Sequence, residues 1–70
     1  MNAVQLLGKN VRNLRSQRGL SQEELALETG MKRSYLSDLE RGTRNPTVRA
    51  LDRLATALQV PPDQLLRPIE

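Results

Sequence analysis

The sequence contains no cysteine and no histidine, and Tyr35 is its one aromatic residue. These absences exclude disulfides, thiolate nucleophiles and imidazole bases, and they remove most transition-metal ligands. A chain of 70 residues buries only roughly 60% of its unfolded surface, which leaves little room for an elaborate catalytic cleft. We therefore expect no enzyme, no catalytic residues, no metal site, no cofactor and no small-molecule ligand.

Long hydrophobic runs are also missing, since no stretch approaches the ~18 apolar residues that a membrane span requires. We expect a cytoplasmic protein without membrane contact, folded as a single domain over residues 1–70. The apolar residues include 13 Leu and five Ala against four Val and one Ile. Because β-branched residues are so few, the composition favours an all-α fold.

The formal net charge of +3 is unevenly distributed along the chain. Residues 1–20 carry four basic and no acidic side chains, whereas residues 21–30 carry three glutamates and no basic side chain. Residues 31–46 are basic again, with four basic and two acidic side chains. Taken alone, this mild bias is compatible with nucleic acid, an anionic membrane or no charged partner.

A first amphipathic helix is predicted from apolar residues at helical spacing: Val4, Leu7, Val11 and Leu14. Gly19, directly after Arg18, suits the end of this helix. Gly8 in its interior costs about 0.5–1 kcal/mol relative to alanine. Either the helix begins after Gly8, or a neighbouring element approaches closely at that residue.

Two short helices are predicted next. Ser21 and Glu24 have the spacing of a capping box, which predicts a second helix over residues 22–29. Gly30 provides a tight turn, and a third helix follows and ends at Gly42.

Two further helices complete the predicted compact five-helix bundle. Residues 43–46 are predicted as a loop, and Thr47 can cap a fourth helix. Its apolar stripe comprises Val48, Leu51, Leu54 or Ala55, and Leu58. Pro61 and Pro62 end it and begin a fifth helix, in which Leu65 and Leu66 close the core.

The second and third helices have the spacing of a helix-turn-helix over about residues 22–41. Ala26 is small where the helices approach, and Gly30 turns the chain. The apolar residues predicted to fill the wedge between them are Leu25, Met31, Leu36 and Leu39.

The same segment resembles the Xre/Cro family of helix-turn-helix regulators, including lambda-repressor-like domains. The matching runs are G-L-S-Q-E-E-L-A from residue 19, Y-L-S-D-L-E-R-G from residue 35, R-N-P-T from residue 44 and L-x-x-L-A-x-A-L-x-V from residue 51. The resemblance implies binding to double-stranded operator DNA as a two-fold dimer, with a recognition helix over about residues 33–41 in the major groove.

Charge at the start of the third helix points to the same surface. Lys32 and Arg33 lie where the helix dipole already places positive charge, and a cation there costs about 0.3–1 kcal/mol. Such a concentrated positive end suits a phosphate or a guanine edge, although two exposed basic residues can also be merely solvated.

Candidate DNA contacts divide into base reading and backbone holding. The outward-facing residues of the third helix, predicted to read bases, are Arg33, Ser34, Ser37 and Asp38. For Asp38, pairing with a neighbouring arginine is at least as good an interpretation. The residues predicted to hold phosphates are Gln22, Lys32, Tyr35, Arg41, Arg44 and Asn45.

Two charged residues are assigned a structural role by the family resemblance. Members of the family often pair the positions of Arg15 and Glu40 in a partly buried salt bridge, which would hold the first helix against the third.

Two other classes compete with a transcriptional regulator. One is a protein-protein interaction module or antitoxin-type partner-binding protein on the same fold, for which an acidic or apolar outer face on the third helix would be expected. The other is an enzyme, but the candidate serines and carboxylates are better explained by capping, reading and pairing. Among regulators, the sequence resembles phage Cro proteins, restriction-modification controller proteins and stand-alone antitoxins. Its apolar Leu66 and Ile69 predict a homodimer formed by the C-terminal region.

Overall fold

A computed structural model describes residues 1–69, within which the chain is all-helical and contains no strand. Its four α-helices are α1 (Ala3–Gln17), α2 (Gln22–Thr29), α3 (Arg33–Glu40) and α4 (Val48–Leu58), and a 3-10 helix (Pro62–Leu66) follows them. No helix in this part of the chain is long and apolar enough to cross a membrane. Glu70, the last residue of the predicted domain, lies outside the described residues.

The helix ends follow local hydrogen bonding. The predicted capping box of α2 is confirmed, because the Ser21 amide donates to the Glu24 carboxylate at 2.9 Å and the Glu24 amide donates to the Ser21 hydroxyl at 3.1 Å. Gly30 ends α2 in the left-handed conformation with φ of 71°. Thr47 caps α4 by accepting from the Ala50 amide at 3.1 Å. These four residues place the ends of α2 and α4 where the sequence predicts them.

The core lies where all the helices meet. The wedge between α2 and α3 is filled as predicted, with Leu25, Leu36 and Leu39 fully buried and Met31 packed at its margin. Both candidates on α4, Leu54 and Ala55, are buried. The full set of buried apolar residues is Leu7, Val11, Leu25, Ala26, Leu36, Leu39, Leu54, Ala55, Leu58 and Leu65.

Gly8 lies in close contact with the backbone of α3. Because α1 already begins at Ala3, the late-start interpretation of this glycine is wrong. A Cβ at position 8 would lie 2.4 Å from the carbonyl oxygen of Leu39 and 2.9 Å from that of Glu40. The missing side chain therefore lets α1 lie directly against the C-terminal turn of α3.

The prediction of a fifth α-helix is wrong, since Pro62–Leu66 forms a 3-10 helix of five residues. Pro68 favours an extended conformation at the residue before it, and Arg67 has φ of −72° and ψ of 139°. Too few residues remain between the prolines to establish an α-helical hydrogen-bond ladder. The Asn10 side-chain amide donates instead to the carbonyl oxygens of Leu65, at 2.8 Å, and Arg67, at 3.0 Å.

Two predicted core positions are exposed. Val48 is 83% exposed at the first position of α4, so the buried stripe of this helix begins at the half-buried Leu51. Leu66 is 43% exposed although Leu65 is fully buried. Consecutive residues of a 3-10 helix point about 120° apart, so only one of this leucine pair can face inward.

Candidate nucleic-acid interface

α2 and α3 form a helix-turn-helix whose second helix presents an open positive end. Within residues 1–69, no side chain caps the start of α3, where Lys32 occupies the cap position. The first-turn amides of a helix lack intrahelical partners and carry partial positive charge. Lys32, Arg33 and Ser34 are all exposed around these amides. This end of α3 is therefore suited to an anion or a hydrogen-bond acceptor.

The candidate reading residues occupy two successive turns of α3. Arg33 and Ser34 are exposed on the first turn, whereas Ser37 and Asp38 are half-buried one turn later. The Asp38 carboxylate is directed at the arginines that follow the helix: it accepts from Arg41 and lies 3.7 Å from Nη2 of Arg44. Arg33, Ser34 and Ser37 thus form the more open part of this surface.

Four of the six candidate phosphate contacts are exposed, and the other two are half-buried. Lys32, Arg41, Arg44 and Asn45 are exposed, and Arg41 is the C-cap of α3 rather than its last helical residue. Tyr35 is half-buried against the core, and the guanidinium of Arg44 lies 5.0 Å from the centre of its ring.

The side chain of Gln22 is hydrogen-bonded within the protein. It is half-buried at the start of α2, and its Nε2 donates to Glu40 Oε1 at 3.1 Å. One amide N–H and the amide oxygen remain to contact another group.

Arg15 and Glu40 form a partly buried bidentate ion pair between α1 and α3. Arg15 Nε donates to Glu40 Oε2 at 2.7 Å, and Nη2 donates to Oε1 at 3.0 Å. The side chains are 14% and 3% exposed, respectively. Hydrogen bonding to Glu40 raises the pKa of Arg15 above its usual value. Arg15 Nη1 also donates to the carbonyl oxygen of Leu20 at 2.8 Å, which ties in the turn before α2.

Some of these contacts have no signal in the sequence. The Gln22–Glu40 bond joins residues 18 positions apart, and Arg18 at the end of α1 bonds both Glu28 and the backbone carbonyl of Ala57. The Asp38–Arg41 pair, by contrast, has a helical i,i+3 spacing that sequence inspection can find.

The comparisons with known proteins agree with this geometry. The family model described as helix-turn-helix matches residues 11–65. The uncharacterized HTH-type transcriptional regulator y4dJ of Sinorhizobium fredii is 46% identical over 70 residues, covering 100% of this chain and 91% of that protein. The chain belongs to the Xre/Cro-type helix-turn-helix family of transcriptional regulators, which confirms the resemblance found in the sequence.

Two solved structures extend the comparison. The restriction-modification controller protein C.AhdI of Aeromonas hydrophila superimposes with a TM-score of 0.85 and 44% identity, covering 89% of this chain and 94% of that one. SinR of Bacillus subtilis, described as a master regulator for biofilm formation and solved in complex with DNA, superimposes with a TM-score of 0.83 and 34% identity, covering 87% of this chain and 98% of that one.

Proposed function

We propose that this protein is a sequence-specific regulator of transcription that binds double-stranded DNA by inserting α3 into the major groove. The observation that carries the proposal is the basic, polar and uncapped start of α3 within a helix-turn-helix. The DNA complex of the related SinR supports it. In this proposal the protein is cytoplasmic and has no catalytic activity.

Base reading is assigned to exposed and half-buried groups on the outer face of α3. The guanidinium of Arg33 has the planar donor pair that matches O6 and N7 of guanine. Ser34 and Ser37 can donate to or accept from base edges, and the Asp38 carboxylate is placed to accept from a cytosine amino group only if it leaves its arginines.

Phosphate binding is assigned to the residues that flank the reading surface. Lys32 lies at the N-terminal end of α3, and the loop after α3 brings further donors to the C-terminal end of the helix. The complete proposed set is Gln22, Lys32, Tyr35, Arg41, Arg44 and Asn45. The Arg15–Glu40 pair keeps α3 at a constant position relative to α1, and through Glu40 it also orients Gln22.

We also propose a homodimer, and a group of apolar side chains at the surface supports one face for its contact. Val48 and Leu66 are exposed beside Val4 and Leu51, and together they line a shallow apolar depression between α1, α4 and the 3-10 helix. Ile69, 45% exposed, lies instead beside Asn13, Leu14 and Gln17. We assign the dimer contact to the surface formed by Val4, Val48, Leu51 and Leu66. A two-fold dimer that places its two α3 helices one DNA turn apart would bind half-sites about 34–36 Å apart.

The test begins with selection of bound sequences from random duplex DNA. Binding of the selected duplex should depend strongly on salt: about 6–10 phosphate contacts per dimer would lower affinity by ~10³–10⁵ between roughly 50 and 200 mM. A flat salt titration, or a pool that yields no preferred sequence, would contradict the proposal.

Substitutions at adjacent positions then separate reading from adhesion. Arg33→Ala should cost about 1–3 kcal/mol on the selected duplex and abolish the preference at one base pair in each half-site. Lys32→Ala is the matched control, because loss of a phosphate contact should weaken selected and unrelated DNA alike and shallow the salt dependence. Equal weakening of all sequences by Arg33→Ala would remove Arg33 from the reading surface.

A further inference from the structure

Asp38 is the centre of a charged cluster at the C-terminal end of α3. Its Oδ1 accepts from Arg41, and its Oδ2 lies 3.7 Å from Nη2 of Arg44. The guanidinium of Arg44 also lies 5.0 Å from the centre of the Tyr35 ring, within the range of a cation–π contact. One carboxylate and one aromatic ring therefore hold two arginine side chains.

The backbone of Asp38 also holds the segment between the two arginines. Its carbonyl oxygen accepts from the Thr43 amide and from the Thr43 hydroxyl, each at 3.0 Å. Asp38 is thus tied through its side chain to Arg41 and Arg44 and through its main chain to the residue between Gly42 and Arg44. The positions of both guanidinium groups are linked to this one residue.

The charges of the cluster do not cancel. One carboxylate faces two guanidinium groups, so a single positive charge remains, and the arginine side chains are still 68% and 50% exposed. Each guanidinium has five N–H donors and uses only part of them here. Both arginines can therefore contact a phosphate while they remain beside the Asp38 carboxylate.

We infer that Asp38 is a positioning residue that increases discrimination between DNA sequences, an inference that rests on the proposed DNA-binding function. By holding Arg41 and Arg44, it reduces the ordering that a correctly aligned complex requires. By contributing a negative charge beside the DNA backbone, it weakens the purely electrostatic binding on which unrelated sequences depend.

The opposite charge effect distinguishes this role from base reading. A carboxylate that read cytosine would lose only cognate affinity when neutralised, and at one base pair. Neutralising a positioning carboxylate removes a negative charge beside Arg41 and Arg44, which strengthens electrostatic binding to unrelated DNA. The two roles therefore predict different results on unrelated DNA.

The experiment compares Asp38→Asn with wild type on the selected duplex and on an unrelated duplex across a salt series. On unrelated DNA the variant should bind roughly fourfold more tightly per protomer. This factor is the average contribution of one phosphate contact when a nonspecific dissociation constant of about 10⁻⁵ M is divided equally among about eight contacts. The slope of log K against log salt should steepen by about 0.9 per protomer. Affinity for the selected duplex should not rise by the same factor, so the ratio of the two affinities falls.

Two further variants isolate the cause. Glu28→Gln also removes one negative charge from an ion pair with an arginine, because Glu28 pairs with Arg18 at 3.4 Å, but it lies at the junction of α1, α2 and α4. This control should leave the affinity ratio and the salt slope near wild type. Asp38→Glu retains the carboxylate, so its affinity for unrelated DNA should stay as weak as that of wild type.

A measurement without DNA keeps this inference separate from the proposed function. Nitrogen-15 NMR of the free protein should show the Nε–H groups of Arg41 and Arg44 more mobile in Asp38→Asn, with those of the other arginines unchanged. Unchanged mobility at Arg41 and Arg44 would overturn the positioning role, whether or not the protein binds DNA. Loss of cognate affinity restricted to one base pair, with unrelated binding unchanged, would identify Asp38 as a base-reading residue instead.

Discussion

Replacement of Gly8 by alanine sets local helix propensity against tertiary packing. Taken alone, a glycine inside a helix should be improved by alanine, with a gain of about 0.5–1 kcal/mol. In the fold, the added Cβ would lie 2.4 Å from the carbonyl oxygen of Leu39, whereas favourable C···O contacts are about 3.3–3.6 Å long. α1 and α3 would have to separate by about 1 Å to restore that spacing.

The magnitude follows from which atoms must move. Both partners in the clash are backbone atoms, so no side-chain rotation relieves it, and separation of the helices would also stretch the 2.7 Å contact between Arg15 and Glu40. Overpacking typically costs 1–3 kcal/mol, and here we expect about 3. After subtraction of the propensity gain, Gly8→Ala should lower the free energy of unfolding by about 2 kcal/mol.

Urea denaturation followed by circular dichroism at 222 nm measures this difference. Asn13→Ala is the matched control, because it replaces an exposed residue of α1 by alanine and should be neutral or stabilise by up to ~0.5 kcal/mol. An increase in stability for Gly8→Ala would refute the close approach of α1 and α3 at this residue.

Three further outcomes are expected. Arg15→Ala should lower the free energy of unfolding by about 3–5 kcal/mol, because it removes the ion-pair partner of a Glu40 side chain that is only 3% exposed; a loss below ~1 kcal/mol in urea denaturation would contradict a buried pair. Hydrogen bonds from the backbone amide and from the side chain of Ser21 lower the pKa of Glu24. The contribution of these bonds to stability is therefore complete above the usual glutamate pKa of about 4.3 and is lost as the pH falls through the lowered value. The stability difference between wild type and Glu24→Gln should therefore be constant near neutral pH and shrink in acid, and a difference that persists unchanged in acid would oppose this assignment. Val48→Asp should abolish the proposed dimer in sedimentation equilibrium without loss of helix content, since an acidic residue is favourable in the first turn of α4, whereas Leu27→Asp, at a 78% exposed position on α2, should leave the dimer intact.

The helix-turn-helix that carries the candidate interface could be predicted because its signals are short-range. The Ser21–Glu24 capping box, the left-handed Gly30 and the Thr47 cap each involve residues within three positions of one another, and these residues give α2, the turn and the start of α4. The fifth helix is instructive by contrast. The prolines correctly predicted a helix that begins at Pro62, but the segment before Pro68 was too short to form more than a five-residue 3-10 helix.

The sequence by itself determined the helix-turn-helix, since hydrogen-bond capping, glycine conformation and apolar periodicity act within a few residues and are encoded locally. The tertiary structure decided that Gly8 lies against the backbone of α3 and that Gln22 bonds Glu40. It also decided that Val48 and Leu66 remain exposed. It also decided that the Asp38 carboxylate meets Arg44 as well as Arg41. These features depend on the distance between helix axes and on the direction of individual side chains, and residue spacing along the chain specifies neither.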